Sequence, residues 1–420
     1  MNLLSAHLAA SFCYLPARNI SNQYLVENNS LSEATEELSA SIKKYSGIDE
    51  RRYSREDEAA SDLATRAILP LILQDSSLKN EIGALLVATT SGDYPSPATA
   101  NFLHRSLQLN PQVHCLDIAS SCTSYLSAFR AAFGFLASNA NTIVVAAEVK
   151  HKSLCKSDIR TLSLFSDGAG GVYLKNSLHC NSQFLFAYQE VNSELADNIC
   201  IPVGGGRNWY SLENKNDIYL RFLEPKKMFL HTVKSLVTAV LSMYSTYKEK
   251  FVENELNLIF IHQANKNIIQ EVRKKLPKNI AKKIPSLMSD VGNMVCASLT
   301  VLRVRVKFLQ ALICFYKEPF KKEELIRVFT DLCAKHSNFS YNRYDGGIIF
   351  KFFFNNEDLF IYDDGCVNLE DCWLTRIAED EFYFLLENVD KDYFSSEGQS
   401  VDFWLSAGGG FQTVGVIHSH

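Results

Sequence analysis

Four short stretches of this 420-residue chain hold residue types suited to acyl chemistry. Cys122 stands in LDIASSCTSYLSAFRAAF, where a strand-like run stops at Ser120–Ser121 and an amphipathic helix starts directly afterwards. Unpaired N–H groups and the dipole at a helix N-terminus favour the thiolate, which is the nucleophilic form of the side chain. Taken alone, such a cysteine reads more readily as a buried structural thiol. His262 ends the apolar run LNLIFIH and is followed by QANKNII, so it leaves a strand at a strand-to-helix junction, where side chains face sites. Alone it reads first as a satisfied structural histidine. Asn293 lies in DVGNMVCASL, a Gly-Asn turn entering a helix, and by itself is a cap or turn residue. The run SAGGGFQTVG (406–415) follows another apolar strand; its glycines admit close backbone approach to a ligand, or mark a plain tight turn.

The elements that must position these residues are short. Apolar runs at 83–90, 142–148, 170–174, 256–262 and 401–407 read as buried strands, and helical patterns at 59–73, 124–138, 229–245 and 265–276 lie between them. Buried strands alternating with helices predict an α/β fold with helices packed on sheets. The stretch from about 316 to 398 has a different character. A helix-like EPFKKEELIRVFTDLCAKHS leads into GGIIFKFFF and DLFIYDDG, a hairpin turning at NNE, and then a second helical piece, AEDEFYFLLENV. It reads as a small α+β module.

Composition narrows the function classes. Lys+Arg 42 against Asp+Glu 47 leaves a net charge of −5, which argues against a chain dominated by nucleic-acid contacts. Hydrophobic content of 47% with 21% charged residues excludes a disordered chain. Eleven cysteines, with no CxxC pair, form neither a disulfide framework nor a zinc-site spacing, and point to free thiols in a reducing cytoplasm. No basic residue precedes Arg18, unlike a signal peptide, and no window of 18 apolar residues spans a membrane.

The order Cys…His…Gly-Asn…Gly-Gly-Gly-Phe resembles the thiolase-like condensing enzymes, specifically the β-ketoacyl-acyl-carrier-protein synthase III group. SGIDERR (46–52) is similar to that family's TGIxxRR segment, and VATTSGDYPSPATA (87–100) to its ATxTPDYxxPxTA stretch. LDIASSC, AAEVK, LFSDGAGGVYL, PVGGGR, IHQANKNII, VGNMVCAS and SAGGGF complete the series. The resemblance implies a five-layer α-β-α-β-α fold of two βαβαβαββ halves: 1–178 carrying the nucleophile, and 179–315 with 399–420 carrying His and Asn. It further implies an acyltransferase in which Cys122 takes an acyl group from a thioester. His262 and Asn293 would hydrogen-bond the malonyl thioester oxygen as that group loses carbon dioxide and attacks. The N–H groups of Cys122 and Gly409 would form the oxyanion hole. No metal or other cofactor is implied. Partners would be acyl and malonyl thioesters on an acyl carrier protein or coenzyme A, and a second copy in a homodimer. Fatty-acid initiation and a specialised biosynthetic pathway stand as equal settings.

Several positions depart from the family. Ser124 replaces a glycine two residues after the cysteine. Ser41, Tyr45 and Ile159 stand where the family has the tryptophan and two arginines that grip coenzyme A, although Arg160 is adjacent. That favours a carrier-delivered donor, docking on a basic set of Lys226, Lys227, Lys234, Lys266, Lys274 and Lys275, or else a solvated helix face. From Asn293 to Gly408 is 115 positions, about 80 more than relatives need, and the inserted module 316–398 occupies the surplus. Its helix–hairpin–helix order faintly resembles sterol-carrier modules. The alternatives are non-decarboxylating acyl transfer to an alcohol, amine or acid, and a non-catalytic protein-binding scaffold.

Overall fold

The computed structural model describes residues 4–28, 36–176, 182–250, 255–354, 357–389, 400–408 and 412–419. Strand β1 (Leu4–Leu15) opens the first half. A ribbon of β2 (Arg18–Ser21) and β3 (Glu50–Tyr53) brackets helices α1 (Asn22–Asn28) and α2 (Glu36–Ser46). There follow α3 (Ala60–Gln74), α4 (Leu78–Glu81), β4 (Ile82–Ala88), α5 (Thr99–Leu107), β5 (His114–Ile118), α6 (Ser124–Ala137), β6 (Asn141–Glu148), α7 (Ile159–Leu162) and β7 (Gly168–Lys175). The strands lie in the order β5-β4-β6-β7-β1, with β4 parallel to β5 and β6, and β7 antiparallel to both its neighbours. Side chains alternate across this sheet. Phe12, Tyr14, Leu85, Val87, Ile143 and Val145 pack with α3 and α5, whereas Cys13, Leu15, Leu86, Ala88, Val144 and Ala146 pack with α6.

The second half repeats this plan. It runs through β8 (Ser182–Val191), the two-residue strands β9 (Ile199–Cys200) and β10 (Arg221–Phe222), α8 (Pro225–Lys250), β11 (Glu255–Ile261), α9 (Lys266–Lys275), α10 (Lys278–Ala281) and the buried α11 (Ser298–Tyr316). The inserted stretch then contributes α12 (Leu325–Lys335), β12 (Phe339–Tyr344), β13 (Gly347–Phe354), β14 (Glu357–Asp364), α13 (Trp373–Arg376) and α14 (Glu379–Asn388). Strands β15 (Ser400–Gly408) and β16 (Gln412–Ser419) complete a second sheet, ordered β11-β15-β16-β8. Ile259, Ile261, Phe403 and Leu405 face α8 and α9; Leu258, Phe260 and Trp404 face the central pair α6 and α11. The layers are thus helix, sheet, helix, sheet, helix.

Both central helices are entered through the same kind of turn. Ser121–Thr123 and Val295–Ala297 each form one 3-10 turn, with Ser121 at φ 55° and Val295 at φ 49°. In each, a serine hydroxyl at the helix start accepts an N–H four residues back: Ser120 to Ser124 Oγ and Met294 to Ser298 Oγ, both at 2.8 Å. The repeat is only just visible in the sequence, as SSCTS against MVCAS.

The insertion is woven into the first half rather than hung beside it. Strand β14 runs parallel to β1, with Ala10 opposite Asp358 and Leu15 opposite Asp363, and β13 and β12 extend the sheet antiparallel beyond it. Phe350, Phe352, Leu359 and Ile361 share one core with Phe308, Phe329 and Trp373, and with Leu86 and Val144 of the first half. Polar links cross the same seam. Tyr14 donates to Asp364 at 2.6 Å, Arg52 pairs with Asp363 at 3.1 Å, and Arg303 with Glu357 at 2.9 Å. Strand β12 and the pairing with β1 were not anticipated, and the expected NNE turn lies largely outside the described residues.

Because the core is shared, Phe350→Ala should cost about 3–5 kcal/mol and shift one cooperative urea transition, seen alike by fluorescence and circular dichroism. A separate early transition confined to part of the signal would contradict this shared core.

Candidate active site

One cavity of about 570 Å³ lies between the two halves, lined by Cys122, His262, Asn293, Ala407 and Gly408 among others. Each residue sits at the end of an element. Cys122 occupies the 3-10 turn between β5 and α6. His262 follows β11, held by its own N–H donating to Leu405 O at 2.9 Å. Asn293 follows Gly292, whose φ of +66° and whose closeness to Arg51 and Ser166 leave no room for a side chain. Strand β15 closes the cavity: Ser406 Oγ donates to Cys122 O at 2.7 Å, and a Cβ at Gly408 would stand 3.0 Å from Cys122 Sγ. Gly409 lies outside the described residues.

The side chains are held for a purpose. Asn293 Oδ1 accepts from Val295 N at 2.9 Å and from Ser298 Oγ at 3.3 Å, which leaves the amide N–H₂ as the free end of the group. His262 is 2% exposed, and neither ring nitrogen meets a partner among the described residues. Buried polar atoms are paired in most proteins, so an unsatisfied imidazole lining a cavity marks a group kept for a ligand. Ser124, buried completely, accepts from Ser120 N and donates to Ser121 O at 2.6 Å. Its hydroxyl locks the turn instead of narrowing the cavity.

Two buried charges were not singled out from sequence. Glu148 ends β6 and accepts from Thr90 N at 3.0 Å, Ser91 Oγ at 2.7 Å and Cys296 Sγ at 3.0 Å. Lys150 lines the cavity at 5% exposure, with Nζ 3.4 Å from Thr90 Oγ1. Their signals were the AAEVK segment of the resemblance and a pair of charges, two apart, at the end of the apolar run TIVVAAEVK.

At the other end, Tyr45 is built into the scaffold. Its hydroxyl hydrogen-bonds Ser163, and its carbonyl accepts from Asn265 Nδ2 at 3.2 Å and Asn267 Nδ2 at 2.6 Å. Arg160 lines the cavity and is exposed. Lys226 and Lys227 are exposed beside the cavity-lining Pro225 and Met228, Lys227 pairing with Glu224 at 3.0 Å. Lys234 is exposed, as are Lys274 and Lys275, with Lys274 paired to Glu271 at 2.7 Å. Lys266 differs: its ammonium reaches Asp380 of the insertion at 2.7 Å.

The electrostatics reverse one expectation. Burial pushes the Cys122 thiol up to about 11, helped by Glu148 and opposed by a hydrogen bond with Ser121 and the charge of Lys150. A partly buried thiol loses more from desolvation of its anion than this helix start returns. Burial pulls His262 down to about 4, so the imidazole is neutral near pH 7. The resting site therefore holds a neutral thiol and a neutral imidazole, not an ion pair. Alkylation of Cys122 by iodoacetamide, with Cys122→Ala as the blank, should rise about tenfold per pH unit from about pH 7 to 10. A plateau by pH 8 would contradict this.

Residues 116–192 match the family model described as 3-oxoacyl-[acyl-carrier-protein (ACP)] synthase III. A β-ketoacyl-[acyl-carrier-protein] synthase III of Streptococcus pneumoniae is 27% identical over 285 residues, 67% of this chain and 85% of that protein. The fold matches the 3-oxoacyl-(acyl-carrier protein) synthase of Burkholderia xenovorans LB400 at a TM-score of 0.68 and 17% identity, covering 99% of this chain and 94% of that one. It also matches an OleA protein of Xanthomonas campestris at a TM-score of 0.64 and 13% identity, covering 100% of this chain and 98% of that one. The cysteine turn, the HQAN strand end and the Gly-Asn turn thus meet in one cavity of a fold shared with 3-oxoacyl-(acyl-carrier protein) synthases, and the chain is similar in sequence to the β-ketoacyl-[acyl-carrier-protein] synthase III proteins.

Proposed function

We propose that this chain is a condensing acyltransferase. Cys122 Sγ attacks an acyl thioester, expelling its thiol and forming an acyl-cysteine. A malonyl thioester then loses carbon dioxide, and the resulting enolate carbon attacks the acyl carbonyl. A β-ketoacyl thioester leaves and the Cys122 thiol is restored. The observation that carries this reading is the convergence of Cys122, His262 and Asn293 on one cavity, with neither ring nitrogen of His262 meeting a partner among the described residues. A neutral imidazole and the free N–H₂ of Asn293 suit hydrogen bonding to an enolate oxygen as charge develops. The N–H groups of Cys122 and Gly409 are assigned the oxyanion of acyl transfer through the family resemblance. The decarboxylating reading gives both donors one shared task at the enolate oxygen, whereas a scaffold has no use for a buried histidine with no partner among the described residues.

The product enters fatty-acid initiation or a specialised pathway. Ten described cysteines are free thiols, which suits the cytoplasm, and no helix among the described residues is long and apolar enough to cross a membrane. The free edge strand β5, with Leu116 38% exposed, offers a line for pairing with a second copy. Lys226 and Lys227 at the cavity mouth suit an acidic carrier.

Incubation with acyl donors should add one acyl mass to the protein, and Cys122→Ala should abolish it. His262→Ala should keep the adduct and lower malonyl-dependent carbon dioxide release by about a hundredfold or more. No adduct with any donor, with Cys122 reduced, would sink the proposal. Reversing Lys226 and Lys227 to Glu should lower kcat/KM for carrier-bound donors about tenfold while sparing pantetheine thioesters; an equal effect on both would remove the docking role.

A further inference from the structure

Helix α14 of the insertion touches both segments that bring His262 and Asn293 to the cavity. Glu381, 3% exposed, accepts from Met288 N at 3.0 Å and Ser289 N at 3.3 Å through Oε1, and from Ser289 Oγ at 2.7 Å through Oε2. Those donors belong to the turn that delivers Asn293, closed by Gly292 N donating to Met288 O at 2.9 Å. From the other side, Asp49 N and Glu50 N donate to Ser289 O at 2.7 and 3.0 Å. Asp380 pairs with Lys266 at 2.7 Å, the first residue of the helix that follows His262. Phe384 lies under the Arg273 guanidinium at 3.9 Å, and Arg273 Nε donates to Ile284 O at 3.0 Å, tying that helix to the same loop. Residues 380, 381 and 384 share one face of a helix.

We infer that α14 is a positioning element for the condensation half-reaction: Glu381 sets the loop that carries Asn293, while Asp380 and Phe384 set α9 behind His262. This rests on the function proposed above. Its consequence is selective, because acylation uses Cys122 and the oxyanion donors, whereas malonyl decarboxylation uses His262 and Asn293. Burial, with Asp290 beside it, pushes Glu381 up to about 7. A neutral carboxyl keeps the contacts by turning its O–H toward Ser289 Oγ, and a glutamine amide does the same.

The test measures two rates on the full chain. One is acyl-adduct formation at Cys122 by intact mass, using acetyl-, hexanoyl- and decanoyl-coenzyme A and the same acyl groups on an acyl carrier protein. The other is carbon dioxide release from carboxyl-labelled malonyl thioester by the pre-acylated protein. Glu381→Ala should lower the second about tenfold or more in kcat while leaving the first within about twofold, and Glu381→Gln should recover most of the loss. Phe384→Ala, at a half-buried position, should show the same selectivity at a severalfold level, and serves if Glu381→Ala does not fold. Equal loss in both rates, no loss in either, or a glutamine variant as poor as the alanine one overturns the inference. A parent protein that forms no adduct, or forms one and releases no carbon dioxide, instead overturns the proposed function.

Discussion

Strand β1 is hydrogen-bonded along both edges, and the rest of the molecule is arranged around that fact. One edge is taken by β7. The other is shared in sequence by β8, at Leu4–Ala6, and by β14, at Ala10–Leu15. A buried N–H or C=O left without a partner costs free energy comparable to a lost hydrogen bond, so a largely buried strand must find partners along most of its length. Here it finds them in three chain segments far apart in sequence. The first half, the second half and the insertion therefore fold as one sheet system. The strand's end is fastened as tightly as its middle: Arg52 donates to Pro16 O at 3.0 Å while pairing with Asp363, and Asp167 N donates to Arg52 O at 2.8 Å.

That frame permits a partly buried site held between the two halves. The two central helices can start in strained turns, at Ser121 and Val295, because packing on both sides overdetermines them. Burial then pushes the thiol of Cys122 up to about 11 and pulls the imidazole of His262 down to about 4, so both favour their neutral forms. For a thiol that is a cost in nucleophilicity at rest. For the imidazole, under the proposed function, it is an advantage, since a neutral ring would donate to an enolate oxygen without bringing a charge that would bind the malonyl carboxylate and oppose its loss. The environment suits the second half-reaction more than the first.

The candidate residues of the cavity were legible because each sits beside a local signal: a strand end, a Gly-Asn turn, a cysteine before an amphipathic run. The central helices and most long strands were legible through apolar runs of the right length. The eight-residue hairpin strands of the insertion were legible too, but their destination was not. Parallel pairing of β14 with β1 joins residues some 350 apart, and no local periodicity encodes it. The thiol's direction of titration was misread for the same reason. A helix start is a local feature, whereas burial of Cys122 depends on β15 and the Gly-Asn turn arriving from the other half. Glu148 and Lys150 escaped because a buried charge at a strand end looks in sequence like the first residue of a loop.

The donor end of the cavity follows from how Tyr45 is used. With its hydroxyl bound to Ser163 and its carbonyl to two asparagine amides at the start of α9, that position holds α2 against the second half. Its hydroxyl and carbonyl are thereby taken up by the scaffold. Arg160 and the exposed pair Lys226 and Lys227 are the cations left near the mouth, too few and too solvated to hold a nucleotide tightly. A carrier protein brings binding energy of its own from a surface outside the cavity, and needs from the mouth only a steering charge and a path for its pantetheine arm. Under the proposed function, a mouth built this way suits a donor that arrives already held.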